Sequence, residues 1–135
     1  MQSVNEYQAR ESTAKLEKTK QTVALHQEEF ANDKSSPVKE SATAAQPGQA
    51  VTIVEFFDYN CHYCKQISPL VAQMLTDNPG ARLVYKDFPI LGDSSELAAK
   101  AALAAHKQGA YLLFHQGLMM APEKITMATV EDLAT

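Results

Sequence analysis

The sequence has no tryptophan, only two cysteines and five glycines. It also lacks long apolar runs, since its longest apolar stretches fall far short of the ~20 residues that span a bilayer. The first ten residues, MQSVNEYQAR, contain no apolar signal-peptide core. We therefore expect no membrane span. An exported origin stays open, because a signal peptide is removed from a mature chain.

Concentrated positive charge is missing as well. The formal net charge is −4, and lysine and arginine form no cluster. Contacts with nucleic-acid phosphates require such clusters, so nucleic acid is not an expected partner. A chain of 135 residues suits one domain, with or without an appendage.

A polar helix is predicted over residues 1–33, with Ser3 and Glu6 matching a capping box at its start. Two interpretations stay open: a solvated helix that lies on its own domain, and a self-association helix that makes a homo-oligomer. The second rests on apolar residues that recur every seven positions, the spacing of a coiled-coil seam. These residues are Ala9, Leu16, Val23 and Phe30.

The next part of the chain predicts a linker followed by a βαβ unit. Residues 34–50 are rich in Ser, Ala, Pro and Gln without periodicity, which is typical of a linker. Apolar runs at 51–58 and 81–88 predict buried strands, and the segment 61–76 between them predicts a helix. Strands joined by one short crossover helix are parallel, so residues 51–92 are predicted to form a βαβ unit.

Residues 93–135 carry a helical period instead. One helix begins at the sequence DSSE and ends near Gly109, a second covers residues 111–120, and a third begins near Thr126. No third strand is visible. We therefore expect the last segment to be an incomplete helical region.

The two cysteines, Cys61 and Cys64, lie where the first strand meets the N-terminus of the next helix. Unpaired N–H groups and the helix dipole favour a thiolate at the first cysteine. A thiolate attacks a disulfide, forms a mixed disulfide, and is released when the second thiol attacks. The pattern therefore predicts Cys61 as the nucleophile and Cys64 as the resolving thiol.

Three other roles for the cysteine pair are weighed. Structural zinc needs about four ligands, and the histidines His26, His106 and His115 are not at ligand spacing from the pair. A structural disulfide would close a very short loop and constrain the unfolded chain little. Binding of a soft ion such as Cu(I) stays open. Redox exchange is the favoured interpretation.

Glu55 interrupts the apolar run VTIVEFF, where a charge is costly unless it is paired or neutralised. The following strand offers Lys86 in a similar setting. In one interpretation a buried Glu55, paired with Lys86, moves protons for Cys64. In the other, both side chains reach the end of the sheet and are solvated.

Two groups in the helical region are interpreted as structural. His106 and His115 are predicted to be surface or satisfied core residues. An apolar group in the second helix either lines a groove for unfolded chains or packs in the core, and core packing is favoured. Its members are Leu112, Leu113, Leu118, Met119 and Met120.

Several motifs resemble a known family. The residues from Cys64 to Pro69, CKQISP, resemble the C-K-x-I-x-P continuation of thioredoxins, in which proline kinks the active-site helix. The residues 55–61, EFFDYNC, resemble the entry to the active site of DsbA-like thiol-disulfide oxidoreductases. The residues 86–89, KDFP, resemble the end of their next strand. The resemblance covers residues 25–135.

This resemblance implies an α/β fold: a thioredoxin-like βαβ core with a helical insert over 93–135, preceded by the N-terminal helix and truncated after the insert begins. It implies a periplasmic or otherwise exported enzyme without a cofactor. Its partners would be secreted or periplasmic client proteins with cysteines and a membrane redox partner protein. Oxidase, reductase and isomerase activities all stay open. The alternative is a copper-binding or client-binding protein without turnover.

The sequence also departs from the family pattern. In the best-known motif, C-P-H-C, histidine is the second intervening residue, whereas here His62 is the first and Tyr63 the second. A protonated His62 favours a thiolate at Cys61, so His62 is a candidate catalytic residue, but the family's oxidising strength does not carry over. The family's cis-proline loop has no match, so we expect the 135-residue chain to be a poor catalyst.

Overall fold

The structure is a computed structural model that describes residues 3–41 and 50–135. The chain divides into two compact units, residues 1–33 and residues 34–135. Helix α1 (Val4–Asn32) forms the first unit, and none of its residues is buried. The Ser3 Oγ accepts a hydrogen bond from the Glu6 N–H at 3.3 Å, and the Glu6 carboxylate accepts one from the Ser3 N–H at 3.0 Å. The predicted capping box is therefore present.

The second unit is a small sheet covered by helices. Its elements are β1 (Val38–Glu40), β2 (Val51–Phe57), α2 (His62–Asp77), β3 (Ala81–Asp87), α3 (Asp93–Lys107), α4 (Tyr111–Met120) and α5 (Met127–Ala134). The sheet has three strands in the order β1-β3-β2. Strands β2 and β3 are parallel, and their register runs from Val51 opposite Ala81 to Phe57 opposite Asp87. The predicted βαβ unit is therefore present, with its helix one residue later than predicted.

Strand β1 lies inside the segment 34–50, for which the sequence predicted a linker and no strand. Val38 pairs with Val84 in an antiparallel ladder. The flanking residues extend this pairing, since the Tyr85 N–H donates to the Pro37 carbonyl at 3.0 Å. A three-residue strand is too short for its own sequence to show a period, so only the partner strand reveals it. Residues 42–49 of the predicted linker lie outside the described residues.

The core lies between the sheet and the helices. Phe57 and Leu83 from the strands, Leu75 from α2 and Ala102 from α3 belong to one buried cluster. The apolar group of α4 is divided, which confirms core packing for only part of it. Leu118 and Met119 are buried and Leu112 packs against the core, whereas Leu113 and Met120 are 77% and 87% exposed.

The helical region follows the predicted boundaries. Gly109 has a φ of 74°, which glycine tolerates without strain, and separates α3 from α4. Thr126 caps α5, where its hydroxyl accepts a hydrogen bond from the Thr129 N–H at 3.2 Å. Over residues 3–41 and 50–135, no helix combines the length and the apolar composition needed to cross a membrane.

Candidate functional site

Cys61 is the N-cap of α2, directly after the loop that leaves β2. Its Sγ accepts a hydrogen bond from the Cys64 N–H at 3.3 Å. Both cysteines are free thiols and both are half-buried. A sulfur that accepts a helix N-terminal N–H gains most from that bond as an anion, because the bond and the helix dipole both stabilise negative charge.

Cys64 has different surroundings. Burial raises the pKa of the Cys64 thiol, and its hydrogen bond to Cys61 and the negative charge of Glu55 act in the same direction. A backbone hydrogen bond from Asp58 opposes this shift. The surroundings of Cys64 therefore favour its protonated form, whereas Cys61 lies at the helix N-terminus.

Glu55 faces the helices, and the sheet register shows which residues share its side. Glu55 lies opposite Tyr85 and Phe56 lies opposite Lys86. Because successive residues of a strand point to opposite faces, Lys86 points to the other face of the sheet. The predicted pairing of Glu55 with Lys86 is therefore wrong. Lys39, on the strand that the sequence did not reveal, lines the same cavity as Glu55.

This cavity is small and mostly enclosed by β1, β2, β3, α2 and α4. Its volume of about 20 Å³ has room for one water molecule. Burial raises the pKa of Glu55, which keeps its carboxyl closer to the neutral form. The cavity is lined by Lys39, Glu55, Ser68, Val71, Ala72, Tyr85, Leu112, His115 and Gln116.

His62 is held by a residue that the sequence analysis missed. Its Nδ1 lies 2.9 Å from Oε1 of Glu123, in the loop between α4 and α5. Lys65 ties the same region to α2, since its Nζ donates to the carbonyls of Leu118 at 2.7 Å and Ala121 at 2.9 Å. No local pattern signals these contacts, because their partners are far apart in sequence.

Asp58 holds the end of β2 in place. It is only 3% exposed. Its Oδ1 accepts from the Asn60 N–H and the Ser95 hydroxyl, both at 2.7 Å. Its Oδ2 accepts from the N–H groups of Ile90 at 2.9 Å and Leu91 at 3.1 Å. One buried carboxylate thus joins the loop before Cys61 to the loop that follows β3.

Asn60 makes a second set of links directly before the nucleophile. Its Nδ2 donates to the hydroxyls of Ser94 and Ser95, both at 3.0 Å. Its Oδ1 accepts from the Ile125 N–H at 3.0 Å. Asp and Asn are frequent in turns because they bond nearby backbone groups, so the DYN segment before Cys61 was the available sequence signal for both residues.

A polar cluster is buried among aromatic rings at the end of β3. The Tyr111 hydroxyl donates to Oδ2 of Asp87 at 3.2 Å, and the Tyr59 hydroxyl lies 2.9 Å from Nδ1 of His115. Burial raises the pKa of Asp87 to about 6 and lowers that of His115 to about 4. His115 is thus a satisfied core residue, as predicted. The ring centroids of His106 and Tyr111 are 5.8 Å apart.

Metal ligands do not converge in the described part of the chain: residues 3–41 and 50–135 contain no group of three or more His, Cys, Asp or Glu side chains that could hold a metal ion. The arrangement supports thiol chemistry at one dithiol. It joins a sulfur at a helix N-terminus, a second thiol with a raised pKa, and a half-buried carboxyl, that of Glu55, whose charge acts on that thiol.

Solved structures with the same architecture include redox proteins. The chain is 41% identical to a thioredoxin-like oxidoreductase from Silicibacter pomeroyi DSS-3, with a TM-score of 0.70. The match covers 79% of this chain and 59% of that one. It is 31% identical to a periplasmic thioredoxin-like protein from Salmonella enterica serovar Typhimurium, with a TM-score of 0.69. That match covers 81% of this chain and 61% of the Salmonella protein. The chain thus spans about three fifths of each.

A curated relative is much longer. The chain is 37% identical over 91 residues to a Na(+)/H(+) antiporter, NhaA 1, from Salinispora arenicola. The matched segment is 62% of this chain and 14% of the antiporter. The family model described as a DSBA-like thioredoxin domain matches residues 52–134. This range includes all of β2 except Val51, both cysteines, β3 and the four helices α2, α3, α4 and α5. The chain therefore belongs to the DSBA-like thioredoxin domain family.

Proposed function

We propose that this protein is a thiol-disulfide oxidoreductase that exchanges disulfides with secreted or periplasmic proteins through Cys61 and Cys64. The observation that carries the proposal is the unequal setting of the two thiols. Cys61 Sγ accepts the Cys64 N–H at the helix N-terminus, whereas burial raises the pKa of Cys64. Such asymmetry gives one thiol the role of nucleophile and the other the role of resolving group.

In the reducing direction, the Cys61 thiolate attacks one sulfur of a client disulfide. A bond forms between Cys61 and that sulfur, and the other client sulfur leaves as a thiolate and takes up a proton. Cys64 then loses its proton and attacks Cys61, which releases the second client sulfur. Two electrons pass from the dithiol to the client, and the enzyme is left with a Cys61–Cys64 disulfide. Oxidation of a client dithiol is the reverse sequence.

In this scheme, the Glu55 carboxylate accepts the proton that Cys64 loses before it attacks Cys61. Burial moves the pKa of this carboxyl toward neutral pH, and a group exchanges protons most readily when its pKa is near the pH of the solution. The water-sized cavity beside Glu55 offers a route for the proton toward Lys39 and His115, which line it. His62 acts at the other thiol, where its ring favours the Cys61 thiolate when it is protonated.

The proposed partners are client proteins with cysteines and a membrane redox protein that restores the starting state. A periplasmic location is supported by the Salmonella relative, which is itself described as periplasmic. The thioredoxin-like oxidoreductase from Silicibacter pomeroyi supports redox turnover over simple binding.

The first test separates the two cysteines. Alkylation at mildly acidic pH should label Cys61 at least about tenfold faster than Cys64, because only a thiolate reacts. A Cys64→Ser variant should trap mixed disulfides with client proteins, and Cys61→Ser should trap few. Catalysed reduction of insulin by the unchanged chain measures turnover.

Faster labelling of Cys64, or equal trapping by both variants, would contradict the assigned roles. Tight Cu(I) binding without insulin reduction would instead indicate a copper-binding protein. Binding of unfolded chains without any change in their thiols would indicate a client-binding protein.

The second test concerns Glu55. The negative charge of Glu55 raises the pKa of Cys64, so Glu55→Gln should move the pH profile of Cys64 alkylation downward. The shift is measured in a Cys61→Ser background so that one thiol is observed. Glu131→Gln, at an exposed position in α5, is the matched control and should change nothing. An unshifted profile in Glu55→Gln would mean that Glu55 does not act on Cys64.

A further inference from the structure

The side chain of His62 is oriented by a carboxylate from a distant part of the chain. Nδ1 of His62 and Oε1 of Glu123 are 2.9 Å apart. A carboxylate only accepts hydrogen bonds, so the proton of this bond lies on Nδ1. The carboxylate therefore selects the tautomer with the proton on Nδ1 and fixes the orientation of the ring, and a protonated ring forms an ion pair with it.

The loop that carries Glu123 is attached to the active site on both sides of the cysteine pair. Before the pair, Asn60 accepts the Ile125 N–H at 3.0 Å, and the Ile125 side chain is buried. After the pair, Lys65 donates to the Ala121 carbonyl at 2.9 Å. These anchors stand two residues on either side of Glu123. Its carboxylate is thus held against the dithiol loop by its backbone.

We infer that Glu123 is a positioning residue that acts through His62 to shift the redox equilibrium of Cys61 and Cys64 toward the dithiol. This inference rests on the proposed function. The Cys61 thiolate exists only in the reduced state, so a protonated ring on the adjoining residue, His62, stabilises that state alone. By forming an ion pair with the His62 ring when that ring is protonated, Glu123 makes the disulfide a stronger oxidant.

The negative charge of Glu123 also acts on Cys61 directly, and in the opposite direction. His62 is next to Cys61 in the chain and is hydrogen-bonded to Glu123, whose negative charge also acts on Lys65. We take the effect through His62 to be the larger one, because a direct hydrogen bond of 2.9 Å transmits it. A His62→Asn background removes this effect and leaves the effects of Glu123 on Cys61 and Lys65.

The expected size follows from solvent exposure. The side chains of His62 and Glu123 are 62% and 52% exposed, so water screens their interaction. Exposed ion pairs change an equilibrium by about two- to fivefold. We expect Glu123→Gln to lower the equilibrium constant for oxidation of glutathione by the Cys61–Cys64 disulfide by about that factor.

The experiment uses the whole chain in four forms: unchanged, Glu123→Gln, His62→Asn and the double variant. Each is equilibrated with glutathione buffers, quenched with acid, alkylated and weighed by mass spectrometry. Glu123→Gln should be less oxidising than the unchanged chain. The control variant Glu131→Gln, at an exposed position in α5, should be as oxidising as the unchanged chain. In the His62→Asn background, Glu123→Gln should have no effect or a small opposite one.

A second readout distinguishes positioning from support of the fold. Glu123→Gln should destabilise the reduced form more than the oxidised form in thermal unfolding, because only the reduced form holds the thiolate. A merely structural role would lower both melting temperatures equally and would overturn the inference. So would an unchanged glutathione equilibrium, or an equal loss with and without His62. Failure of the unchanged chain to form the Cys61–Cys64 disulfide in any buffer would instead refute the proposed function itself.

Discussion

Asp87 and His115 lie in one aromatic cluster, and burial favours the neutral form of both, so their pKa values shift in opposite directions. The pKa of Asp87 rises from 3.8 to about 6, so the fold favours its neutral form. Its contribution to stability is therefore complete below pH 3.8 and is lost as the pH rises to about 6. The pKa of His115 falls from 6.5 to about 4, so its contribution is complete above pH 6.5 and is lost as the pH falls.

Each substitution should therefore reveal one of two opposing slopes. Relative to the unchanged chain, the free energy of unfolding of Asp87→Asn should rise by about 1–2 kcal/mol from pH 4 to pH 6.5. That of His115→Gln should fall over the same interval. Urea unfolding at several pH values measures both differences. The comparison uses only changes with pH, so a constant loss from disturbed packing does not affect it.

Far-UV circular dichroism at each pH is the control, since both variants must be folded at the start of each titration. A difference for Asp87→Asn that does not change with pH would show that the carboxyl is ionised as readily in the fold as in the unfolded chain.

At the scale of elements, Asp58 joins the loop after β2 to the loop between β3 and α3. It accepts hydrogen bonds from three backbone N–H groups and from one hydroxyl, that of Ser95. Removal of the carboxylate leaves buried donors without an acceptor, and each such donor costs free energy.

We expect Asp58→Ala to lower the free energy of unfolding by about 3 kcal/mol. The dithiol loop should loosen as well, so that Cys61 and Cys64 are alkylated at more similar rates. Asp77→Ala is the matched control, because Asp77 is exposed and accepts one side-chain hydrogen bond, from Gln73. A loss in Asp58→Ala no larger than in the control would show that these loops hold their positions without the carboxylate.

At the scale of the whole molecule, α1 is a long helix whose side chains are not buried. None of its 29 residues is buried, although Leu16 and Val23 are apolar and 53% and 54% exposed. An isolated polar helix gains little from packing, whereas a seam with a seven-residue period packs between chains. We therefore predict a homo-oligomer that forms through residues 1–33.

Light scattering at high micromolar concentration should give a mass of two or more chains, and deletion of residues 1–33 should reduce it to one. Leu16→Lys should weaken association because it places a charge in the seam. Leu25→Lys is the matched control, since Leu25 is 82% exposed and lies outside the seven-residue series. A mass of one chain before and after the deletion would refute the oligomer. Facing sites in an oligomer would favour isomerisation over simple oxidation.

The sequence by itself determined the features that depend on neighbouring residues. A strand, a cysteine pair and a helix start follow one another between Val51 and Pro69, and a second apolar run follows at 81–88, so the βαβ unit and the family could both be predicted. Caps and helix ends after residue 93 are equally local. Hydrogen bonds within a few residues and the period of apolar side chains leave direct marks in the sequence.

Only the tertiary structure decided which distant residues meet at that site. The pairing of β1 with β3, not its own composition, makes residues 38–40 a strand and brings Lys39, not Lys86, to the cavity of Glu55. The path of the loop after α4 likewise brings Glu123 to His62. Such contacts depend on strand register and on loop paths summed over the whole fold, and no local period encodes them.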